Sequence, residues 1–477
     1  MNFEAVIGLE IHVQMKTKSK MFSASPNAFS PNPNTEVTVF DMAYPGTMPV
    51  VNKQAVINAI RVANALHMEI DHTIYFDRKN YFYSDLPKGF QITQQFRPIG
   101  KNGYLDILDR EGKKKRVEIE RIHMEEDTCK QLHFADYSLL DYNRAGTPLV
   151  EIVSRPEIRS GTEAMHYVEG IRNIVVYSLT SDGKMEEGSL RCDVNVSLRP
   201  YGQKEFGTKV EIKNINSLKN IEAALDYEIA RQSALLLSGT PVQQETRRYD
   251  EASGKTILMR VKTDAVDYKY FPEPNIAPIA LSDEFVQNAI DTCPELYDSK
   301  KERYVKEGLS EVDADIILSD LEMAYYFENA AKTAKNKKIL SNFLIVEANS
   351  YLNKNGKKIT EFPVSGEKLA EIANLQEDGF THKQCVDILN HLLSNPDLSV
   401  EEARKAKGIE KMVQDDNLVL TLVNEALDAN PQSIEDFKTT GNGRVLGFLV
   451  GQVMKKGKGK VNPADVSRVL NEEIKKR

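Results

Sequence analysis

The stretch from Lys184 to Ser217 constrains this chain most. From Leu190 to Leu198 apolar and polar residues alternate without a break. Leu190, Cys192, Val194, Val196 and Leu198 fall on one face; Arg191, Asp193, Asn195, Ser197 and Arg199 fall on the other. A period of two is the mark of a half-buried strand. A Pro-Tyr-Gly turn follows at Pro200 to Gly202. A second strand starts near Thr208, with Val210 and Ile212 inward and Lys209, Glu211 and Lys213 outward. The polar face gathers Arg, Asp, Asn, Glu and Lys, with Glu186 and Glu187 just before it. Hard oxygen donors beside fixed cations suit a magnesium-nucleotide site.

Residues 3–15 alternate equally cleanly. Glu10 and His12 project together from the polar face, with Gly8 leaving room beside them. Such a pair suits either a solvated strand face or a shared divalent cation. Asp77 to Gln95 interleaves Arg78, Lys79 and Lys88 with Tyr81, Phe82, Tyr83 and Phe90. That mixture fits a packed loop, or a surface that stacks a base and holds phosphates. Residues 104–123 read as a hairpin turning near Glu111 to Lys115 and ending in the acids Glu125, Glu126 and Asp127. These acids meet Glu10 and His12 only if the two strands are neighbours. Asp141 to Pro148 is a turn into the apolar strand Leu149 to Val153.

Helices are expected after the cap Asn52, over Thr162 to Leu179, and over Leu218 to Leu237 with a stop at Gly239. Gly254-Lys255-Thr256 ends like a phosphate loop, but Tyr249 occupies the position where that motif needs glycine. It reads instead as a hairpin turn, leaving Arg247, Arg248 and Arg260 on paired strands. A Pro-rich exit at Pro272 to Pro278 marks a boundary, after which the period becomes 3.6. The expected class is α+β: a β-rich cradle over 1–290, an all-α domain over 291–405 and a small helical tail over 406–477. His382, His391 and Cys385 are isolated and read as packing or surface residues. In the tail, Arg444, Lys455, Lys456, Lys458 and Lys460 are the only charges between 444 and 460. They form either a solvated loop or a contact for an RNA backbone.

A chain of 477 residues with 41% hydrophobic and 28% charged residues has the composition of a globular protein with a sizeable core. The net charge of −8 disfavours a protein that coats nucleic acid wholesale, though not a local basic patch. Met1 leads straight into a strand-like run and no apolar stretch approaches about 20 residues, so neither signal peptide nor membrane span is expected. Four dispersed cysteines without a CxxC pair argue against a zinc knuckle or disulfide framework and fit a cytoplasmic setting.

Eight strings, in order, carry a resemblance: VIGLEIHVQ from Val6, DRKNYFYSDLPKGFQITQ from Asp77, HMEED from His123, LLDYNRAGTPLVEIVS from Leu139, KMEEGSLRCDVNVSLRP from Lys184, ETRRYDE from Glu245, YFPEPNI from Tyr270 and GFLVGQVMK from Gly447. Together they resemble, end to end, the B subunits of bacterial aspartyl/glutamyl-tRNA amidotransferases. That resemblance implies an ATP- and glutamine-dependent ligase acting within a heterotrimer. One partner is a glutaminase (amidase), which releases ammonia from glutamine; a small third protein wraps the other two. The B-type member of the complex binds Glu-tRNA(Gln), Asp-tRNA(Asn) or both, phosphorylates the side-chain carboxylate with ATP, and ammonia displaces the phosphate. Carried onto this chain, Glu10, His12 and Glu125 are the implied Mg2+ ligands, with Asp193 and Glu211 completing that shell or a second one. Lys79, Tyr81, Lys88 and Arg191 are implied for nucleotide and phosphate, Arg247 and Arg248 for the aminoacyl end, and the tail cations for tRNA. Cys192 faces the apolar side of its strand and no Gly-Gly-Ser-Ser amidase stretch is present, which leaves phosphoryl transfer as the chemistry here. The alternatives are a free-standing carboxylate–amine ligase using ammonia, and a non-catalytic tRNA-binding scaffold.

Overall fold

The computed structural model describes residues 3–261, 267–411, 416–440, 443–457, 461 and 463–476. The chain divides into two compact units, Met1–Lys300 and Lys301–Arg477.

The first unit is built on a nine-stranded sheet. Its strands in chain order are β1 (Phe3–Gln14), β2 (Glu69–Ile70), β3 (Gly100–Leu108), β4 (Lys114–Glu126), β5 (Pro148–Ser154), β6 (Leu190–Pro200), β7 (Val210–Ile215), β8 (Glu245–Asp250) and β9 (Lys255–Val261). In space they lie β9-β8-β7-β6-β1-β5-β4-β3-β2. All neighbours are antiparallel except β7 and β8. The first strand of the chain is thus interior, flanked by β5 and β6.

The alternation of β1 and β6 decides which face is buried. Ile7, Leu9, Ile11 and Val13, with Cys192, Val194 and Val196, are inaccessible or nearly so and join one core. That face is covered by three helices: α1 (Lys53–Ala65), α2 (Gly161–Tyr177) and α3 (Leu218–Leu237). Asn52 caps α1 by accepting from the amides of Gln54 and Ala55; Ser160 and Ser217 cap α2 and α3. Ala55, Ala59 and Ala63 on α1, and Val168, Ile171 and Val175 on α2, supply the buried stripes. Gly103 on β3 permits a close approach. A Cβ there would stand 2.4 Å from the Leu66 carbonyl oxygen, so only glycine lets α1's end lie against the strand.

The opposite face is polar. Part of it is roofed by a three-stranded sheet of Asp77–Asn80, Phe90–Thr93 and Phe271–Pro272. The roof is tied to β4 by its backbone and side chains: Ile92 N donates to Glu126 Oε1 (3.1 Å) and Gln91 Nε2 to the Glu126 carbonyl (2.7 Å).

The second unit is helical among the described residues, from Glu311–Leu318 to Pro463–Lys476. Within it, residues of Asp416–Asp428, Gly443–Gly457 and Pro463–Lys476 share their own small core of Val423, Leu427, Leu449, Val453, Val466 and Leu470. The α+β class expected from the sequence is the class observed. No described helix is long and apolar enough to cross a membrane.

Candidate active site

Strand register assembles the site. His12 on β1 lies opposite Glu151 on β5, and Glu151 opposite His123 on β4. On the other side His12 lies opposite Arg191 on β6. One lateral row therefore reads Arg191, His12, Glu151, His123 across four adjacent strands, all projecting to the polar face. Glu125, two residues beyond His123 on the same strand, joins them.

The distances are short. His12 Nε2 is 3.5 Å from Glu151 Oε2 and 3.7 Å from Glu125 Oε1. His123 Nε2 is 3.0 Å from Glu151 Oε2 and 3.6 Å from Glu125 Oε2. His123 is 4% exposed and its Nδ1 finds no hydrogen-bond partner. Burial opposes charging of His123, but Glu151 and Glu125 outweigh it and hold its pKa up at about 9. The same balance raises the pKa of His12. Burial also opposes ionisation of Glu151, yet His123 and His12 beside it hold its carboxyl well below the ordinary range.

His12, Glu125 and Glu151 each offer one ligand atom, and those atoms lie within 4.8 Å of one another. Donors around a divalent ion bound at about 2.0–2.4 Å must stand roughly 3–4.5 Å apart, wider than a hydrogen bond. The His12 contacts to both carboxylates have that spacing, so this mixed nitrogen and oxygen set fits a divalent cation.

Glu10 is one step along β1. Asn195 Nδ2 donates to its Oε1 at 3.0 Å. Burial, then the charges of Glu151 and Asp193, push its carboxyl pKa up. Glu10 is thus an acid at the edge of the cluster, outside the group of three. Asp193 and Glu211 do not reach the cluster either. Both hold Lys213, whose Nζ is 2.5 Å from Asp193 Oδ2 and 3.2 Å from Glu211 Oε1. Thr246 adds a hydrogen bond to Glu211 (2.9 Å).

The roof supplies Lys79. Its ammonium lies 4.7 Å from the Tyr268 ring centre and 5.8 Å from that of Tyr81. Burial would strip its proton, but Glu125 and, in smaller measure, Glu151 help keep its pKa above the ordinary value. Burial raises the Tyr81 phenol well above its ordinary pKa, so it stays neutral. Lys88 is spent on Glu126, 2.7 Å away. Arg191 Nη2 donates to Asp127 Oδ2 at 2.9 Å, and Gln14 Nε2 donates to the same oxygen at 3.0 Å. Arg191 Nε is buried without a partner.

Arg247 and Arg248 are on β8, two strands beyond β6. Arg247 is tied to Glu245 (2.6 Å) and to Thr256, and Arg248 pairs with Asp250 at 3.3 Å. In the tail, Lys455 is exposed and Lys456 pairs with Glu425 at 3.2 Å. The Arg444 side chain, Lys458 and Lys460 lie outside the described residues.

Two members of the central group, Glu151 and His123, escaped the sequence reading. Glu151 sits within Leu-Val-Glu-Ile-Val, and the one carboxylate in an otherwise apolar strand was its only signal. β1 and β4 are not neighbours: β5 separates them and brings Glu151 with it. A buried acid in such a run needs a partner, and here the partners are two imidazoles.

Comparison with known proteins follows the same division. A family model described as "GatB/GatE catalytic domain" matches residues 5–287, and one described as "GatB domain" matches residues 325–474. The B subunit of the aspartyl/glutamyl-tRNA(Asn/Gln) amidotransferase from Staphylococcus carnosus is 50% identical over 478 residues, covering all of both chains. The protein of the same name from Lysinibacillus sphaericus is 49% identical over 479 residues, again covering all of both.

Proposed function

Because the chain belongs to the B-subunit family of aspartyl/glutamyl-tRNA(Asn/Gln) amidotransferases, and so serves in tRNA-dependent amidation, we propose that its polar sheet face is where the carboxylate is activated. The convergence of His12, Glu125, Glu151 and His123 from three adjacent strands carries this reading.

In the proposed reaction a side-chain carboxylate oxygen of Glu-tRNA(Gln) or Asp-tRNA(Asn) attacks the γ-phosphorus of ATP. The bond from that phosphorus to the β,γ-bridging oxygen breaks and ADP leaves. Ammonia then attacks the acyl carbon, loses a proton, and phosphate departs. Positioning and charge neutralisation do most of the work in such transfers. A Mg2+ ion held by His12, Glu125 and Glu151 would supply neutralisation of phosphoryl charge. Glu10 stands at the edge of that set. His123 donates to Glu151 and fixes the direction of its carboxylate. Asp127 holds the Arg191 guanidinium toward the row, and Lys79 faces it from the roof; both are cations for phosphoryl oxygens. The tyrosines around Lys79 form an apolar wall that limits water. Lys88, Asp193, Glu211, Arg247 and Arg248 are neutralised within the protein and in this reading support the walls.

The relatives carry the name of one subunit of an amidotransferase. The proposal accordingly places this chain in a cytoplasmic complex with misacylated tRNA, an amidase that supplies ammonia, and a small third protein. The described thiols fit ammonia from elsewhere, since burial raises those of Cys129, Cys192, Cys293 and Cys385, the opposite of nucleophile activation.

The test is ATP cleavage by the assembled complex without an amide donor. Misacylated tRNA should stimulate phosphate release, and correctly acylated tRNA should not. Cleavage indifferent to the aminoacyl group would sink the proposal and favour a scaffold role. Lys455 in the tail offers a separate check. Lys455→Ala should weaken tRNA binding and reduce the salt slope by about one, measured by filter binding across salt concentrations. An unchanged slope would remove Lys455 from the interface.

A further inference from the structure

We propose that Arg121 binds the side-chain carboxylate of the aminoacyl group, and so tells the substrate from its amide product. The proposal rests on the reading that the row of His12, Glu151 and His123 transfers a phosphoryl group.

Arg121 is on β4, two residues before His123. Ile122 and Met124 are buried in the core, so Arg121, His123 and Glu125 share the polar face. A second lateral row runs through Arg121, one step along from the first. Asp193, Glu10, Val153, Arg121, Lys101 and Glu69 lie opposite one another in turn, from β6 to β2. Within it Asp193 is held by Lys213, and Glu10 accepts from Asn195. Val153 separates Glu10 from Arg121. On its other side Arg121 faces a second cation, Lys101, whose opposite neighbour is Glu69. Glu151, diagonally across, is engaged by His123 and His12, and Glu120 is exposed. Arg155, Arg191 and Arg199 each pair with an acid, whereas Arg121 forms no ion pair among the described residues. Its Nε is buried without a hydrogen-bond partner, and its Nη1 meets Gln95 Oε1 at 3.5 Å. A half-buried guanidinium left in this state calls for an anion, and its planar fork of donors suits a carboxylate.

The position of Arg121 selects which anion. Arg191 and Arg121 project from β6 and β4, with β1 and β5 between them, so their backbones stand about 14 Å apart. In-line transfer needs the entering and leaving oxygens on opposite sides of the phosphorus. With the transferred group over His12 and Glu151, and Arg191 serving phosphoryl oxygens from the β6 side, the entering carboxylate comes from the β4 side, where Arg121 stands. The roof there is aromatic. The Tyr270 ring meets those of Phe96 and Tyr268 edge-on, with centres 6.4 and 6.1 Å apart, and Phe96 is 58% exposed. Burial raises the Tyr270 phenol above its ordinary pKa, and the charges of Lys79 and Arg121 oppose that rise. Arg121 thus lies beneath rings that can pack against the methylenes of the aminoacyl side chain. One carboxylate oxygen held by the fork leaves the other free to attack. The amide product carries no negative charge, and its NH2 group would meet donors with donors, which favours its release.

The experiment measures filter binding of Glu-tRNA(Gln) and of Gln-tRNA(Gln) to the assembled complex without ATP. The two ligands differ only in carboxylate against amide. The wild-type complex should bind the Glu form roughly 10-fold more tightly, the scale of a charge-assisted pair. Arg121→Gln and Arg121→Met should each bring that ratio close to one by weakening the Glu form alone. Binding of uncharged tRNA, and of a β,γ-imido ATP analogue with Mg2+, should stay as in wild type. Both substitutions remove the charge, and methionine keeps the packing of the stem, so if one variant fails to assemble the other gives the same comparison. A wild-type ratio of one, or a ratio that survives in the variants, overturns the proposal. Weakened analogue binding with the ratio intact also overturns it and assigns Arg121 to the nucleotide. ATP cleavage by the wild-type complex, with and without misacylated tRNA, reads the phosphoryl-transfer step separately. Its absence sinks the reading beneath the proposal, whereas stimulated cleavage with an Arg121-independent ratio sinks the proposal alone.

Discussion

Glu151→Gln is expected to lower amide formation by about 100-fold or more while tRNA binding persists. The substitution keeps the side chain's shape and removes its charge. Glu151 is the middle member of the row, 3.5 Å from His12 and 3.0 Å from His123. Both imidazoles owe their raised pKa in large part to this carboxylate. With glutamine there, His123 faces an amide and the cation site loses one of its two anionic donors. Loss of even an outer partner of a metal ligand typically costs 10–100-fold in affinity or activity, and a direct donor should cost at least that. The check pairs an amidation assay with Mn2+ binding followed by electron paramagnetic resonance. Unchanged turnover with unchanged Mn2+ affinity would reject Glu151 as a ligand and return weight to the scaffold alternative.

The second large effect concerns stability. Glu228→Ala is expected to destabilise the β7–β9 edge of the sheet by about 3–5 kcal/mol, the usual cost of removing one partner from a buried ionic network. Glu228 on α3 is fully inaccessible. Its carboxylate accepts from Arg231 Nη2 (2.7 Å), Gln232 Nε2 (2.9 Å) and Thr256 Oγ1 (2.7 Å), and Arg247 Nε is 3.7 Å away. α3, β8 and β9 are thus joined through one side chain. Alanine leaves Arg231 and Arg247 largely buried against the remaining carboxylate of Glu245. Hydrogen exchange should accelerate along residues 245–261 well before the rest of the sheet opens. Undiminished protection there would show that β-sheet pairing alone holds this edge.

Much of this was legible in local pattern. Alternation placed β1 and β6 and assigned Glu10, His12, Arg191 and Asp193 to one face. Capping and period placed α3 over its observed residues, Leu218–Leu237. These features depend on neighbours a few residues apart. What the pattern could not carry was register. Glu151 meets His12 because residues 148–154 insert between β1 and β4, a pairing across more than a hundred residues. Asp193 and Glu211, metal ligands in what the resemblance implies, share the polar face of the strands. The pairing of Asn195 with Glu211 sets both carboxylates around Lys213 instead. Arg247 shows the same limit: an arginine on a strand can serve a ligand or a network, and only α3's position selects the network.

The interior place of β1 also bears on how the protein is made. The ribosome makes this strand before both of its partners, which emerge only after residues 148–154 and 190–200 have been translated. At typical elongation rates that interval is on the order of ten seconds or more. For that time an alternating, aggregation-prone ribbon has neither flanking strand to pair with. Nascent chains stalled before residue 190 should therefore depend on chaperones, a dependence that ends once β6 has left the exit tunnel.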